Sequence, residues 1–138
     1  MSGTYEIINV TSNQLGSNSP GTECTKIIFD DVDGSPATNA QRWVFENTEG
    51  ILYRIRNVET GYWATATEDG QVIACPDFDI LTGTWLVNFN GSKTRVNVPA
   101  QNSYWTLIGD RHGVISIYLR PLNEEDTSAQ EFEMRRVY

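Results

Sequence analysis

Apolar residues along this chain recur at every second position in short runs, and nowhere do they hold the spacing of an amphipathic helix. The clearest runs are copies of one another. Tyr5-Glu6-Ile7-Ile8-Asn9-Val10 returns as Tyr53-Arg54-Ile55-Arg56-Asn57-Val58, with four of six positions identical, and the shorter Arg95-Val96-Asn97-Val98 keeps the Asn-Val pair. In the second copy Tyr53 and Ile55 fall on one face of a strand and Arg54 and Arg56 on the other, which predicts that one face is core. Further along, Tyr62-Trp63-Ala64-Thr65 is matched by Tyr104-Trp105-Thr106-Leu107. Each is followed by a glycine-bearing turn, Glu68-Asp69-Gly70 or Gly109-Asp110-Arg111-His112-Gly113, and then by another β-branched run, which reads as a hairpin.

Each copy closes on a large aromatic residue that opens a further alternating strand: Trp43 with Phe45, Trp85 with Val87 and Phe89, and Phe132 with Met134. Glutamine stands two places before Trp43 and Phe132, but glycine stands before Trp85. The units run over residues 1–47, 48–91 and 92–138, each with room for about four short strands. One such unit cannot bury its own apolar face, whereas three around an axis share a core. The expected fold is therefore all-β, a β-trefoil of twelve short strands in three pseudo-symmetric repeats forming one domain, with Trp43, Trp85 and Phe132 meeting inside.

Composition narrows the functions. The chain has 138 residues, of which 39% are hydrophobic, enough for a folded core. Its net charge of -8 argues against nucleic acid and anionic membranes as partners. No apolar run is long enough to span a bilayer, and the first residues lack the pattern of a secretion signal, so a cytoplasmic location is expected. Cys24 and Cys75 are the only cysteines, 51 residues apart, and are expected as buried or half-buried free thiols. No metal and no cofactor are expected: Asp30-Asp31-Val32-Asp33-Gly34 lacks a ligand at the first place of a calcium loop and reads as a solvated turn. With His112 as the only histidine and no nucleophile elbow, the chain is not read as an enzyme.

The glutamine-x-aromatic closures and Tyr-x-Ile openings resemble the ricin-B-like β-trefoil superfamily over essentially the whole chain. Within it, the stretch from Tyr104-Trp105 through Ser116-Ile117-Tyr118-Leu119-Arg120-Pro121-Leu122 to Gln130-Glu131-Phe132-Glu133-Met134 resembles the mushroom serine protease inhibitors of the cospin and cnispin type. The second repeat, with Trp63 and Trp85, is similar to small fungal trefoil lectins. The resemblance implies a serine protease inhibitor acting through a loop, with a carbohydrate-binding lectin and a cysteine protease inhibitor as alternatives.

An inhibitor of a trypsin-like enzyme must offer a cation to the carboxylate at the base of the specificity pocket. Arg111, near the tip of the Gly109 to Gly113 loop with His112 beside it, is the first candidate, and Lys93 the second. Arg120 is set back by Pro121. The related inhibitors also use the loop between the second and third strands, here Ser17 to Glu23, where Asn18 is the candidate. A lectin needs an aromatic face for the sugar ring and polar groups for its hydroxyls. Trp63 and Trp105, with Tyr62, Tyr104, Asn102 and Asp69, have that chemistry, against the competing reading that both tryptophans pack between strands. The sequence leaves the oligomeric state open.

Overall fold

The computed structural model describes residues 2–138, and these form twelve strands, all paired antiparallel. They are β1 Gly3–Asn9, β2 Gln14–Asn18, β3 Thr25–Asp31, β4 Trp43–Glu49, β5 Leu52–Asn57, β6 Trp63–Ala66, β7 Gln71–Cys75, β8 Trp85–Asn88, β9 Arg95–Asn97, β10 Tyr104–Gly109, β11 Ile115–Arg120 and β12 Glu133–Arg136. The pairings separate into a barrel and a cap. Strands β12, β1, β4, β5, β8 and β9 follow one another around a ring. A bridge between Thr94 and Phe132, with N–H···O bonds of 3.0 and 2.8 Å, closes it. The hairpins β2–β3, β6–β7 and β10–β11 cover one end, touching pairwise through β3–β7, β7–β11 and β11–β3. Each repeat thus gives two strands to the barrel and two to the cap, the β-trefoil arrangement that the repeats predict.

The repeated residues are the ones that lock this geometry. Asn9, Asn57 and Asn97 are buried at the ends of β1, β5 and β9. The Asn9 amide donates to the carbonyls of Ser128 and Glu131 at 2.8 and 3.0 Å, and that of Asn57 to Ala40 at 2.9 Å. Each stitches a turn to the preceding repeat, satisfying carbonyls that would otherwise be buried bare. Asn97 departs from this, donating to Val98 and Gln101 of its own turn.

Trp43, Trp85 and Phe132 are fully buried in one core cluster, together with Trp105, Phe29 and Phe45. The indole N–H of Trp43 donates to Gly16 at 3.1 Å, and that of Trp85 to Ala64 at 2.9 Å. The third repeat shifts the tryptophan from the closure to the hairpin: Trp105 stands edge-on to Trp85, ring centroids 5.3 Å apart, and its indole N–H has no acceptor. Volume is exchanged between the hairpins to keep the core full. Gly16 faces Phe29 across β2–β3, Ala64 faces Ala74, and Trp105 faces Leu119. A Cβ on Gly16 would come within 2.8 Å of the Phe29 ring.

Cys24 and Cys75 are joined in a disulfide, which corrects the expectation of free thiols. The register explains it: β3 and β7 pair with Thr25 opposite Ala74, so the cysteines occupy the next rung, at the end of the ladder. A spacing of 51 residues gives no hint of that proximity.

Candidate functional site

Loops are the exposed and variable part of such a scaffold, yet the sequence-predicted residues divide between loops and strands, with Asn18 in β2, Trp63 in β6, and Tyr104 and Trp105 in β10. The connection between β2 and β3, Ser19 to Cys24, is exposed along its length and held at several points. Asn18, buried beneath it, donates to Thr25 Oγ1 at 2.8 Å and to the Lys26 carbonyl at 2.9 Å, and accepts from Thr60 Oγ1 at 2.8 Å. The Thr25 hydroxyl bonds the Ser19 carbonyl at 3.0 Å. The Tyr62 hydroxyl reaches across from the second repeat to the Gly21 carbonyl. The disulfide fixes the far end. Asn18 is therefore a brace whose amide is spent inside, while Pro20, Thr22 and Glu23 face solvent. Ser19 precedes proline, which biases it to an extended backbone.

Arg111 and His112 lie exposed in the β10–β11 turn, where Gly113 takes a φ of +81°. The Asp110 carboxylate accepts from His112 N–H at 2.8 Å and Val114 N–H at 3.0 Å. Those backbone bonds, that of Val114 first, hold the Asp110 carboxyl below its ordinary value. The Arg111 guanidinium leans only on the His112 ring, at 3.3 Å, whereas Arg54, Arg56, Arg95 and Arg135 are each paired with a glutamate. Lys93 ends the 3-10 turn Gly91–Lys93 and is exposed.

The residues expected to bind a glycan are not brought together. Trp105 has no exposed face. Trp63 is half-buried, with the Phe78 ring 5.1 Å away and the guanidinium groups of Arg54 and Arg56 at 5.3 and 5.9 Å from its centroid. Both cations are anchored by Glu46, at 2.7 and 3.2 Å, so the indole is already occupied by its own neighbours. Tyr62 is spent on Gly21, Asp69 accepts from the Thr67 hydroxyl, and Asn102 accepts from the Leu122 N–H at 3.1 Å. Tyr104 is half-buried. The principal surface clefts are lined by other residues.

The β7–β8 connection, residues 76–84, raises Ile80 and Leu81 into solvent. Its sequence signal was the missing glutamine. Glycine at position 83 lets the chain pass 2.9 Å from the Asp79 carbonyl and 3.1 Å from the Phe78 ring, measured to the Cβ that any other residue would carry.

No protein-family model matches the chain, and no curated protein matches its sequence. Solved structures do match over nearly the full length. A designed threefold-symmetric protein, ThreeFoil, superposes with a TM-score of 0.79 at 10% identity, covering 98% of this chain and 99% of that one. The chain folds as a β-trefoil. The Macrolepiota procera ricin B-like lectin, solved with lactose, gives 0.73 at 21% identity, covering 97% of this chain and 95% of the lectin. A proteinase inhibitor from Coprinopsis cinerea gives 0.76 at 16% identity, covering 99% of each chain. This trefoil backbone thus underlies both lectins and an inhibitor, and the fold does not choose between them.

Proposed function

We propose that the chain is a proteinaceous inhibitor of serine proteases that works by entry of an exposed loop into the enzyme's active-site cleft. The observation that carries the reading is the β2–β3 connection, where Asn18, Thr25, Tyr62 and the Cys24–Cys75 bridge fix the backbone and leave Pro20, Thr22 and Glu23 outward. A loop held this way loses little entropy on binding, and the same bracing keeps the ends of a cleaved bond together so that it can re-form. The lectin reading has weaker support, because each tryptophan it needs is buried or covered.

The pocket residue decides the target. No lysine or arginine lies between Ser19 and Cys24, so this loop suits enzymes that accept small or polar side chains. A trypsin-like target is favoured by a separate observation, the exposed Arg111 cation with no carboxylate against it on a turn fixed by Asp110. Inhibition constants against trypsin, chymotrypsin, elastase and papain, measured beside a glycan array, test the proposal. Arg111→Ala is expected to abolish inhibition of trypsin alone. Asn18→Ala is expected to turn inhibition of an enzyme that accepts small or polar side chains into substrate-like cleavage within Ser19 to Cys24. A protein that slows none of the serine proteases, or that registers on the array instead, overturns it.

A further inference from the structure

A serine protease makes three demands on the residue that fills its specificity pocket. The carbonyl must be free to enter the oxyanion hole, the N–H must be free to pair with the enzyme's backbone, and the side chain must be free to leave the parent protein. Between Ser19 and Cys24 most positions fail. The Ser19 carbonyl is taken by the Thr25 hydroxyl at 3.0 Å, and the bond after it leads into Pro20. Pro20 has no N–H to offer. Gly21 has no side chain, and its carbonyl accepts from the Tyr62 hydroxyl. Cys24 is tied through its sulfur to Cys75. Glu23 is exposed, but its carbonyl lies over Gly21, 3.8 Å from where a Cβ on that glycine would stand. Its carboxylate would also need a cation at the base of the pocket. Thr22 meets every demand. It is exposed where the chain bends, and no described residue engages its N–H, its carbonyl or its hydroxyl.

Given a loop that enters the enzyme as proposed above, we infer that Thr22–Glu23 is the bond it presents, to a serine protease of elastase type whose small pocket takes the Thr22 side chain. The braces fall on either side of this bond. Before it, Thr25 holds Ser19 and Tyr62 holds Gly21; after it, the bridge holds Cys24. When the enzyme's serine Oγ attacks the Thr22 carbonyl carbon, its proton passes through the enzyme's histidine to the Glu23 nitrogen as the C–N bond breaks. The amine so formed is one residue from the bridge and stays beside the ester. Its attack on the acyl carbon expels the serine oxygen, which recovers its proton through the histidine, and the peptide bond is restored.

Charge narrows the partner further. Glu23 stands on the leaving-group side of the cut, and the whole chain carries a net charge of -8. Both favour an enzyme whose cleft is rimmed by basic residues, because opposite charge speeds encounter and like charge penalises it.

Inhibition constants of the whole chain for elastase, chymotrypsin and trypsin test this, measured in an Arg111→Ala background so that the β10–β11 turn contributes no cation. In that background the chain is expected to inhibit elastase, and prolonged incubation should yield one new N-terminus, at Glu23, by mass spectrometry. Adding Thr22→Arg should weaken inhibition of elastase at least about 100-fold and create inhibition of trypsin. Position 22 is exposed, so circular dichroism should show unchanged folding. If the Arg111→Ala chain inhibits elastase but is cut at another bond, and Thr22→Arg moves neither constant, Thr22 is not the pocket residue while the inhibitor reading stands. If neither chain inhibits any of the three enzymes, both are overturned.

Discussion

Three connections lead from a capping hairpin back to a barrel strand, and they are of two kinds. The β3–β4 and β11–β12 connections each end in a 3-10 turn, Asn39–Gln41 and Ser128–Gln130, whose glutamine folds back on its own loop. Gln41 accepts from Thr38 N–H at 3.0 Å. Gln130, fully buried, accepts from Asn123 N–H at 2.8 Å and donates to Pro121 and Thr106 at 2.9 and 3.0 Å. The β7–β8 connection has glycine in that place, winds around the Asp79 carbonyl and turns Ile80 and Leu81 outward. Where the threefold pattern is kept, side chains serve the fold. Where it is broken, Ile80 and Leu81 stand in solvent.

Both kinds of connection still close on a buried aromatic, and here the largest effect is expected. Trp85→Ala removes the core residue behind the irregular connection and should lower unfolding free energy by about 3–5 kcal/mol in urea denaturation. An effect near zero would mean that the second repeat is not part of the shared core. Next comes the bridge that the pattern lacks elsewhere. Replacing both cysteines by serine opens a loop closure of 51 residues, worth about 4 kcal/mol in the chain-entropy account, again read from urea curves. The expected companion is faster proteolysis between Ser19 and Cys24.

The contrast itself is sharpened by a reciprocal pair. Gln130→Ala strands the Asn123 N–H and the Pro121 carbonyl, a loss of about 1–3 kcal/mol. Gly83→Gln restores the residue found in the other two repeats, yet should also destabilise by about 1–3 kcal/mol, because its Cβ meets the Asp79 carbonyl and the Phe78 ring. A stabilising Gly83→Gln would show that the irregular connection is an accident of drift. The smallest effect concerns the Arg111 turn. Asp110 is held below its ordinary value of 3.8, so its contribution is complete above that pH and is lost as pH falls through the lowered value. Protection of the His112 and Val114 amides, taken relative to the intrinsic exchange rate at each pH, should therefore be lost only in strong acid.

Much of the fold was legible in the sequence because its determinants are local and repeated. The period-two runs around Tyr53 and Ile55, the Asn-Val ends and the closing aromatics all mark positions where one unit must bury a face or turn a chain. The recognition surface was not, for a physical reason. Whether Trp63 offers a face depends on Phe78, Arg54 and Arg56 arriving from two other segments. Asn18 reads as a loop residue from its neighbours, yet its amide is drawn inward by Thr25 and Thr60. The cysteine pairing depends on the register of β3 against β7, which neither strand carries alone. The substitution of glycine for glutamine before Trp85 was visible, but its consequence lies in contacts that only the folded chain has.

Mass spectrometry of the protein after equilibration with an inhibited serine protease bears most directly on the central claim, that a cross-braced loop on a trefoil is what meets the enzyme. The account predicts slow, incomplete cleavage confined to Ser19 through Cys24, or to the Arg111 turn when the enzyme is trypsin, with the nicked chain still held together and still inhibitory. Inhibition by a chain in which neither segment is ever cut or protected, and which is indifferent to Asn18→Ala, Arg111→Ala and loss of the bridge, would contradict it.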